Sequence, residues 1–572
     1  MDVQEALARA RAIIEASKLR KLEAAKAAEA ATGMTRATPL GVSSPMAASL
    51  GGLEWNEEQR TAIDYGYFGK TFCLIGAAGT GKTTTLRAML LNLLQHNRLP
   101  PLEESTKHLM AGAPGVALIS FTRRAVRNIA KQMPKDLKPH CITFHKLVEY
   151  GPEFYEEYDA VKETVVNKVR FIPGRHGGNP LPRNLKLVVI DESSMFSIEF
   201  FEQLLAALPN PSQVQFVFLG DLNQLPPVYG IPILGKMLAQ VPIVELTRVY
   251  RQALESPIIA LALAVKNNDF HSFNVNAANI WGGKVGFQAE RLKERTVLEK
   301  EGNGKVTLHP WKQEWDKEDS LAAMQGQIRL WAKAGDYDPD EDLILCPWNT
   351  SFGTDELNLA IADYLSSSQN RMVHEVIAGF NKYYLAVGDK LLVDKQEAIV
   401  LDISRNPRYM GKMPRAASTQ LNRWGAGGED ASILDEDISD EEIDMMLLHA
   451  ADVVDRTTDA SHCIRVRFLD SDLEETLSKS ASLNNMSFGY AITVHKAQGS
   501  ECRRVFVLLH TCHAAMASRE LIYTAITRAK EELYMVLPPT MLAKSAAKPR
   551  VKGDTLADKI AFFSAKLEEK GQ

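Results

Sequence analysis

Thr71-Phe72-Cys73-Leu74-Ile75-Gly76-Ala77-Ala78-Gly79-Thr80-Gly81-Lys82-Thr83 decides the fold of this chain. From Gly76 onward it matches the phosphate-loop pattern G-x-x-x-x-G-K-[ST] at every position. A β-prone run enters the loop. Leu86, Met89, Leu90, Leu93 and Leu94 leave it at the spacing of one helix face. The chemistry needs these residue types. Gly76, Gly79 and Gly81 let the backbone turn its N–H groups inward around phosphate oxygens, and Ala77, Ala78, Thr80 and Thr84 belong to the same cradle. The N-terminus of the following helix adds a partial positive charge. Lys82 has the reach for β- and γ-phosphates, and the Thr83 hydroxyl is a hard oxygen ligand suited to Mg²⁺. The stretch implies a nucleoside triphosphate site on an α/β scaffold.

A chain of 572 residues is too long for one core; about three or four domains are expected. With 45% hydrophobic and 24% charged residues it has the composition of an ordinary soluble globular protein. Its apolar runs are too short for a membrane span, and the N-terminus lacks the apolar core of a signal peptide. Cys73, Cys141, Cys346, Cys463, Cys502 and Cys512 are dispersed without a C-x-x-C pair. That pattern points to a reducing, cytoplasmic setting and away from structural zinc. A net charge of −5 gives no global attraction to nucleic acid, so a polyanion would have to lie in a local groove.

Residues 1–31 are rich in Ala, Glu, Lys, Arg and Leu and read as a helix with a thin apolar face. It is either a solvated, partly frayed helix or a docking helix for a partner. Residues 32–52 read as a flexible linker. A helix start follows at Leu53 to Arg60, with Asn56 as its cap and Gln59 able to donate and accept against the N6/N7 edge of adenine. Val116 to Ser120 reads as a buried strand that ends in Phe121-Thr122-Arg123-Arg124. Residues 149–184 read as a small hairpin insertion. Leu187 to Ile190 has the all-apolar character of a central parallel strand and ends in Asp191-Glu192. Carboxylates in that position sit beside the phosphate loop; Asp191 can hold Mg²⁺ and Glu192 can deprotonate the attacking water. Val214 to Leu219 leads to Gly220-Asp221-Leu222-Asn223-Gln224-Leu225-Pro226-Pro227-Val228, where Gln224 can sense the γ-phosphate. The acidic, Gly-rich run near 425–444 reads as a solvated loop. The basic, Ala-rich tail after Pro538 reads as peripheral and loosely held.

Taken together, the blocks from about Leu53 to Leu537 resemble the motif series of superfamily 1 helicases, in order and spacing. GDLNQLPPV at Gly220 to Val228 and YTAITRAK at Tyr523 to Lys530 are similar to the RecD/Dda-like, 5′-to-3′ branch, superfamily 1B. From the residues alone, only a phosphate-loop ATPase with basic and aromatic loops follows. The resemblance implies an α/β fold with two RecA-like P-loop domains in tandem. The first would span 53–270, with a pin-like insertion at 149–184. The second would comprise 271–375 and 487–545, with an SH3-like β insertion at 376–486, leaving 546–572 as a C-terminal tail. ATP and Mg²⁺ would bind between the two domains. Gln59 would read adenine with Tyr250 stacked on it. Lys82, Thr83, Asp191 and Glu192 would run the magnesium and water chemistry, and Gln224 would couple to the γ-phosphate. Arg251 and Arg528 would act as arginine fingers, with Gly499 and Glu501 near the nucleotide. Thr122, Arg123, Thr143, His145, Thr493 and His495 would form the single-stranded DNA track. The implied protein is a monomer that acts on single-stranded DNA and on single-strand/duplex junctions in replication, recombination or repair. The N-terminal helix could meet a replication or single-strand-binding protein. An RNA helicase or RNP remodeller of the same superfamily, and a non-unwinding ATP-dependent DNA clamp, are the rival readings.

Overall fold

The computed structural model describes residues 35–45 and 54–570, apart from 160–163, 228–229, 249–254, 312–325, 327–341, 351, 380, 394–395, 410–458, 470–472 and 485. The N-terminal helix and the acidic loop expected from the sequence therefore lie outside the described residues. The chain divides into two compact units. One comprises Met1–Trp311, Ala497–Arg503 and Thr511–Gln572, the other Lys312–Lys496 and Arg504–His510. Segments 271–311 and 511–545, assigned from the sequence to a second domain, thus fall in the first unit. Among the described residues, no helix is long and apolar enough to cross a membrane.

The first unit is built on a six-stranded parallel sheet. Its elements in chain order begin with α1 (Glu57–Tyr67), β1 (Phe72–Gly76), α2 (Lys82–Gln95), β2 (Val116–Ser120), α3 (Arg123–Gln132) and β3 (Cys141–Thr143). They continue with α4 (Phe144–Leu147), β4 (Gly151–Asp159), β5 (Thr164–Ile172), β6 (Leu187–Ile190), α5 (Ile198–Ala207), β7 (Gln215–Gly220), α6 (Ile233–Met237) and β8 (Ile243–Leu246). The sheet order is β3-β2-β6-β7-β1-β8, with β1 between β7 and β8 in parallel register. The inner strands are apolar because both faces are covered: every residue of β2 and β6 is buried. This arrangement brings the C-terminal ends of β1, β6 and β7 to one edge, where open α/β sheets bind ligands. The pin-like insertion is an antiparallel hairpin, β4 paired with β5 from Gly151↔Ile172 to Asp159↔Thr164. Further on, α7 (Pro257–Asn267) and α8 (His271–Asn279) precede β9 (Thr296–Lys300) and β10 (Gly304–Pro310).

In the second unit, β11 (Asp342–Cys346) and α9 (Thr354–Ser368) lead into an all-β insertion. A hairpin of β12 (Val373–Ala378) and β13 (Asn381–Ala386) is followed by β14 (Lys390–Val393), β15 (Gln396–Arg405), β16 (Asp459–Phe468) and β17 (Glu474–Lys479). After the short helix α10 (Ser480–Asn484) comes β18 (Met486–Phe488). These form a five-stranded sheet of order β17-β16-β15-β14-β18 over a core that includes Val376, Leu391, Val400, Ile464 and Val466. The β insertion expected after 376 is thus present, and its hairpin begins at Val373. β19 (Ala491–Thr493) and β20 (Cys502–Leu508) flank β11 in parallel.

The chain then completes the first unit with α11 (Arg519–Ile526), β21 (Ala529–Leu537), α12 (Met541–Ala546) and α13 (Leu556–Lys570). β21 lies parallel to β10, and β9 is antiparallel to it on the other side.

Two expectations about the chain's periphery are corrected. Residues 35–45, read as linker, are tied to the first unit. Ala37 N–H donates to Ile243 O at 2.8 Å, and Ile243 N–H donates to Thr35 O at 2.9 Å, on the open side of β8. The Ser44 hydroxyl donates to Asp64 Oδ1 at 2.6 Å. A polar, turn-rich stretch can still supply backbone groups to an unpaired sheet edge. The tail after Pro538, read as loosely held, carries α13 into the core. Val551, Leu556, Ile560, Phe563 and Leu567 are buried with residues of β6, β7, α5 and α6. A Cβ on Gly235 of α6 would lie 2.7 Å from the Phe563 ring. The apolar positions Leu556, Ile560, Phe563 and Leu567 recur at helical spacing, and burying that face outweighs the charge on the other side.

Candidate nucleotide site

The phosphate loop joins β1 to α2 at the ligand-binding edge of the sheet. Gly79 (φ 78°) and Gly81 (φ 86°) adopt the left-handed conformation, which costs a side chain dearly and glycine nothing. Gly76 is needed for space: a Cβ there would lie 2.5 Å from Thr80 Oγ1. Thr80 is buried, and its hydroxyl donates to Ala77 O at 2.8 Å, holding the loop's curvature. No side chain among the described residues caps Gly81, so the first amides of α2, where Thr83 and Thr84 lie, face outward for an anion. The Lys82 ammonium folds back onto its own loop, donating to Gly76 O at 2.7 Å and Ala77 O at 3.1 Å. A γ-phosphate offers stronger, charge-assisted acceptors than these carbonyls.

Asp191 and Glu192 follow β6, whose line Asp191 extends by donating its N–H to Ile119 O at 2.8 Å. Glu192 has φ 51°, a strained conformation that a non-glycine residue holds only where its surroundings impose it. Burial pushes the Asp191 carboxyl up to about 7; the charge of Glu192 adds to this, and that of Lys82 opposes it. Burial also raises Glu192, opposed by the charges of Arg528 and Lys82. Two acidic groups crowded in this way favour a cation. Thr83 and Asp191 suit Mg²⁺, which takes one or two protein oxygens and fills its octahedron with water and phosphate. Among the described residues, no group of three His, Cys, Asp or Glu could hold a metal by itself.

The turn after β7 carries Gln224, which is buried, with its Oε1 left without a hydrogen-bond partner among the described residues. Ser194 Oγ and Ser120 Oγ are orphaned in the same way. Unpaired buried oxygens are costly, and an amide oxygen suits the O–H of a water rather than a phosphate oxygen. Asp221 organises the turn: its Oδ1 accepts from the Asn223 N–H at 2.9 Å and from Asn223 Nδ2 at 2.7 Å. Its Oδ2 accepts the Tyr523 hydroxyl at 2.6 Å. The same hydroxyl accepts the Ala78 N–H of the phosphate loop at 3.0 Å.

Arg528 follows α11 and is 3% exposed. Its guanidinium donates to Thr524 O and Ser500 O, both at 3.0 Å, and to Thr527 Oγ1 at 3.2 Å. Its charge reaches Glu192. Gly499 (φ 73°) lies against α3, where its carbonyl accepts from Asn128 Nδ2 at 2.8 Å. Glu501 is exposed and pairs with Lys530 at 3.0 Å. Gln59 forms a capping box with Asn56: Gln59 N–H donates to Asn56 Oδ1 at 2.8 Å, and Asn56 N–H donates to Gln59 Oε1 at 3.2 Å. The Gln59 oxygen is therefore committed to the helix start, which leaves its amide N–H₂ to address a base. Tyr250 and Arg251 lie outside the described residues.

The residues expected on a DNA track divide into three kinds. Thr122 caps α3 through Ala125 N–H at 3.2 Å, and Thr143 caps α4 through Lys146 N–H at 3.3 Å. In the second unit, Thr493 accepts Lys496 N–H at 3.3 Å. Each threonine thus anchors a turn. Arg123 is exposed at the start of α3, and His495 is half-buried. The His145 ring is surrounded by aromatic rings, with centroids 4.9 Å from Tyr150, 5.4 Å from Phe121 and 5.7 Å from Phe200.

Sequence reasoning passed over Asp221, Tyr523 and Lys559. Asp221 had the signal used for Asp191, a carboxylate closing an apolar strand. Tyr523 lay inside a quoted motif. Lys559 offered only its place on a helix whose apolar spacing went unread.

Residues 59–230 match the family model described as an AAA domain, and residues 488–536 match the UvrD-like helicase C-terminal domain. The ATP-dependent RecD2 DNA helicase of Deinococcus radiodurans is 26% identical over 504 residues, covering 87% of this chain and 51% of its own length. The RecBCD enzyme subunit RecD of Mycolicibacterium smegmatis is 24% identical over 505 residues, covering 84% of this chain and 70% of its own. The chain thus spans about half the length of the first of these relatives. A crystal structure of Pif1 helicase from Candida albicans aligns over 91% of this chain and 100% of its own, at 13% identity and a TM-score of 0.42.

Proposed function

We propose that the chain is a RecD-like helicase of superfamily 1B, an ATP-dependent DNA helicase that moves 5′ to 3′ along single-stranded DNA. It would work as a cytoplasmic monomer at single-strand/duplex junctions in replication, recombination or repair. The observation that carries the reading is a convergence within one compact unit. An uncapped phosphate loop, the crowded Asp191–Glu192 pair, the orphaned oxygen of Gln224 and the buried charge of Arg528 all belong to it.

The triphosphate enters the cradle of N–H groups at the start of α2, and Lys82 exchanges its two loop carbonyls for phosphate oxygens. Thr83 and Asp191 would hold Mg²⁺, which would supply charge neutralisation for the phosphates when bound. Glu192 takes one proton of the attacking water while Gln224 Oε1 accepts a hydrogen bond from the other. The water oxygen attacks the γ-phosphorus as the bond to the β-bridging oxygen breaks, giving ADP and phosphate. Arg528 stabilises charge on the transferring group, a contribution worth on the order of 10³–10⁵ in rate for arginine fingers. Movement along DNA then requires DNA affinity to differ between the nucleotide states. The hairpin β4–β5 is the element suited to keep separated strands apart.

The test offers the protein partial duplexes with a 5′ or a 3′ single-stranded tail. Unwinding from the 5′ tail alone is expected; unwinding only from the 3′ tail would refute the direction. ATPase stimulation stronger with poly-rU than with poly-dT would move the substrate to RNA. ATP hydrolysis without any strand separation would make the protein a clamp.

A further inference from the structure

A chain of hydrogen bonds runs from α13 to the phosphate loop. The Lys559 ammonium donates to Asn223 Oδ1 at 2.7 Å and to Leu222 O at 3.2 Å. Asn223 Nδ2 donates to Asp221 Oδ1 at 2.7 Å, Tyr523 donates to Asp221 Oδ2 at 2.6 Å, and the Ala78 N–H donates to the Tyr523 oxygen at 3.0 Å. Four contacts thus link the helix to an amide of the cradle. The turn they cross is gripped twice more. Leu225 N–H donates to Thr524 Oγ1 at 3.0 Å, and Gln498 Nε2 donates to Leu225 O at 2.6 Å. A cavity of about 300 Å³ is bordered by Gly76, Ala77 and Thr80 of the loop, Asn223 of the turn, and Lys266 and Lys559. The helix and the phosphate loop therefore face a common space.

We propose that Lys559 is a positioning residue for ATP hydrolysis: carried in by the C-terminal helix, it holds the Asp221–Gln224 turn, and through Asp221 and Tyr523 the Ala78 amide, in register with the phosphate loop. The proposal rests on the ATPase reading above and adds an element that none of the helicase motif blocks contains. The turn has little of its own to fix it. Its internal bonds are those of Asp221 Oδ1 and the Gln224 N–H to Asp221 O at 3.1 Å. Gln224 sits one residue from Asn223, so a rotation of the turn would swing its unpaired oxygen away from the water it would orient. A displacement of about 1 Å at such a site costs on the order of 10²-fold in rate. Lysine suits the task because one ammonium can donate to a carbonyl and to a side-chain amide at once. Burial lowers its pKa to about 8, so the fold keeps a cation where it costs stability; apolar contacts alone would have anchored the helix more cheaply.

The experiment uses the full chain and measures steady-state ATP hydrolysis with oligo-dT, ATP affinity and thermal melting for wild type, Lys559→Met and Lys559→Arg. Lys559→Met is expected to lower kcat at least about tenfold, with KM for ATP within about threefold and the melting curve little moved. Lys559→Arg, which can donate to both acceptors, should recover a substantial part of kcat. Tyr523→Phe breaks the same chain at its other end and serves if Lys559→Met does not fold. The double variant should lose less than the product of the two single losses. Wild-type kcat in a folded Lys559→Met protein, or a loss that merely follows melting, overturns the proposal. A wild-type protein without DNA-stimulated ATPase activity would instead defeat the functional reading on which it rests.

Discussion

A Cβ atom on Gly499 would stand 2.5 Å from the Cβ of Ala125, and 3.2 Å from Thr122 Oγ1. Gly499 also has φ 73°. Its neighbourhood is a junction of two motif blocks: the Thr122 hydroxyl reaches Gln498 O at 3.4 Å, and Asn128 Nδ2 donates to Gly499 O. Glycine is therefore required twice, for its conformation and for its lack of volume.

Gly499→Ala should destabilise the first unit by about 2–4 kcal/mol, combining positive-φ strain with overpacking. The measurement is the first thermal transition, which should fall by several degrees. Adding Ala125→Gly relieves the clash but not the strain, so the double variant should recover only part of the loss. Full recovery would show that φ at Gly499 is unimportant; an unshifted transition in the single variant would show that α3 yields freely.

Lys82→Ala and Glu192→Gln should each abolish phosphate release, for different reasons. Lys82 is the charge that would exchange loop carbonyls for the γ-phosphate, so its loss should also weaken nucleotide binding. Glu192→Gln keeps the shape and removes the base, so a fluorescent ATP analogue should still bind within a few-fold of wild type. Normal hydrolysis by either variant would mean that the reacting phosphate lies elsewhere.

Much of this site was legible because its chemistry is local in sequence. The glycines, Lys82 and Thr83 fall within eight residues, and Asp191-Glu192 closes a four-residue apolar strand. The hairpin β4–β5 and the β insertion were legible from turn residues and strand-like runs. The chain from Lys559 to Ala78 was not, since it assembles residues 78, 221, 223, 523 and 559 through tertiary packing alone. Composition misled at both ends. The tail's basic, Ala-rich character hid the stripe of Ile560, Phe563 and Leu567, and the turn-rich stretch after Thr32 hid a strap along β8. The threonines carry a second role that the sequence reading did not see. Thr122 follows β2, while Thr143 and Thr493 end β3 and β19, and each accepts a backbone N–H of the turn that follows, so the position that marks them as candidate DNA contacts is also where a cap is needed.

Arg528→Lys should reduce kcat by about 10²-fold or more, although the positive charge is kept. The guanidinium spreads three donations over Thr524 O, Ser500 O and Thr527 Oγ1. A lysine concentrates its donors on one atom and cannot span that fork. Single-turnover hydrolysis separates this chemical defect from slow product release. An Arg528→Lys enzyme with wild-type single-turnover kinetics would remove the residue from the reaction.

Stability should rise with pH in the alkaline range in a way that depends on Lys559. Burial, the largest cause, lowers its pKa from 10.5 to a net value of about 8, with Lys266 and Arg519 acting in the same direction and Asp221 and Glu520 opposing it. Below pH 8 the group is charged in both folded and unfolded chains, and the full cost of burying the cation is present. Between 8 and 10.5 the folded chain releases the proton first, the unfolded chain binds more protons, and unfolding free energy rises with pH. Above 10.5 both forms are neutral and the cost is gone. For a side chain with part of its surface in water, the change is on the order of 1–2 kcal/mol. Other groups titrate in this range, so the quantity to measure is the difference in melting temperature between wild type and Lys559→Met at pH 7.5 and pH 9.5. Wild type should gain on the variant as pH increases. Parallel pH dependences would place the Lys559 ammonium in water, free of the turn that carries Gln224.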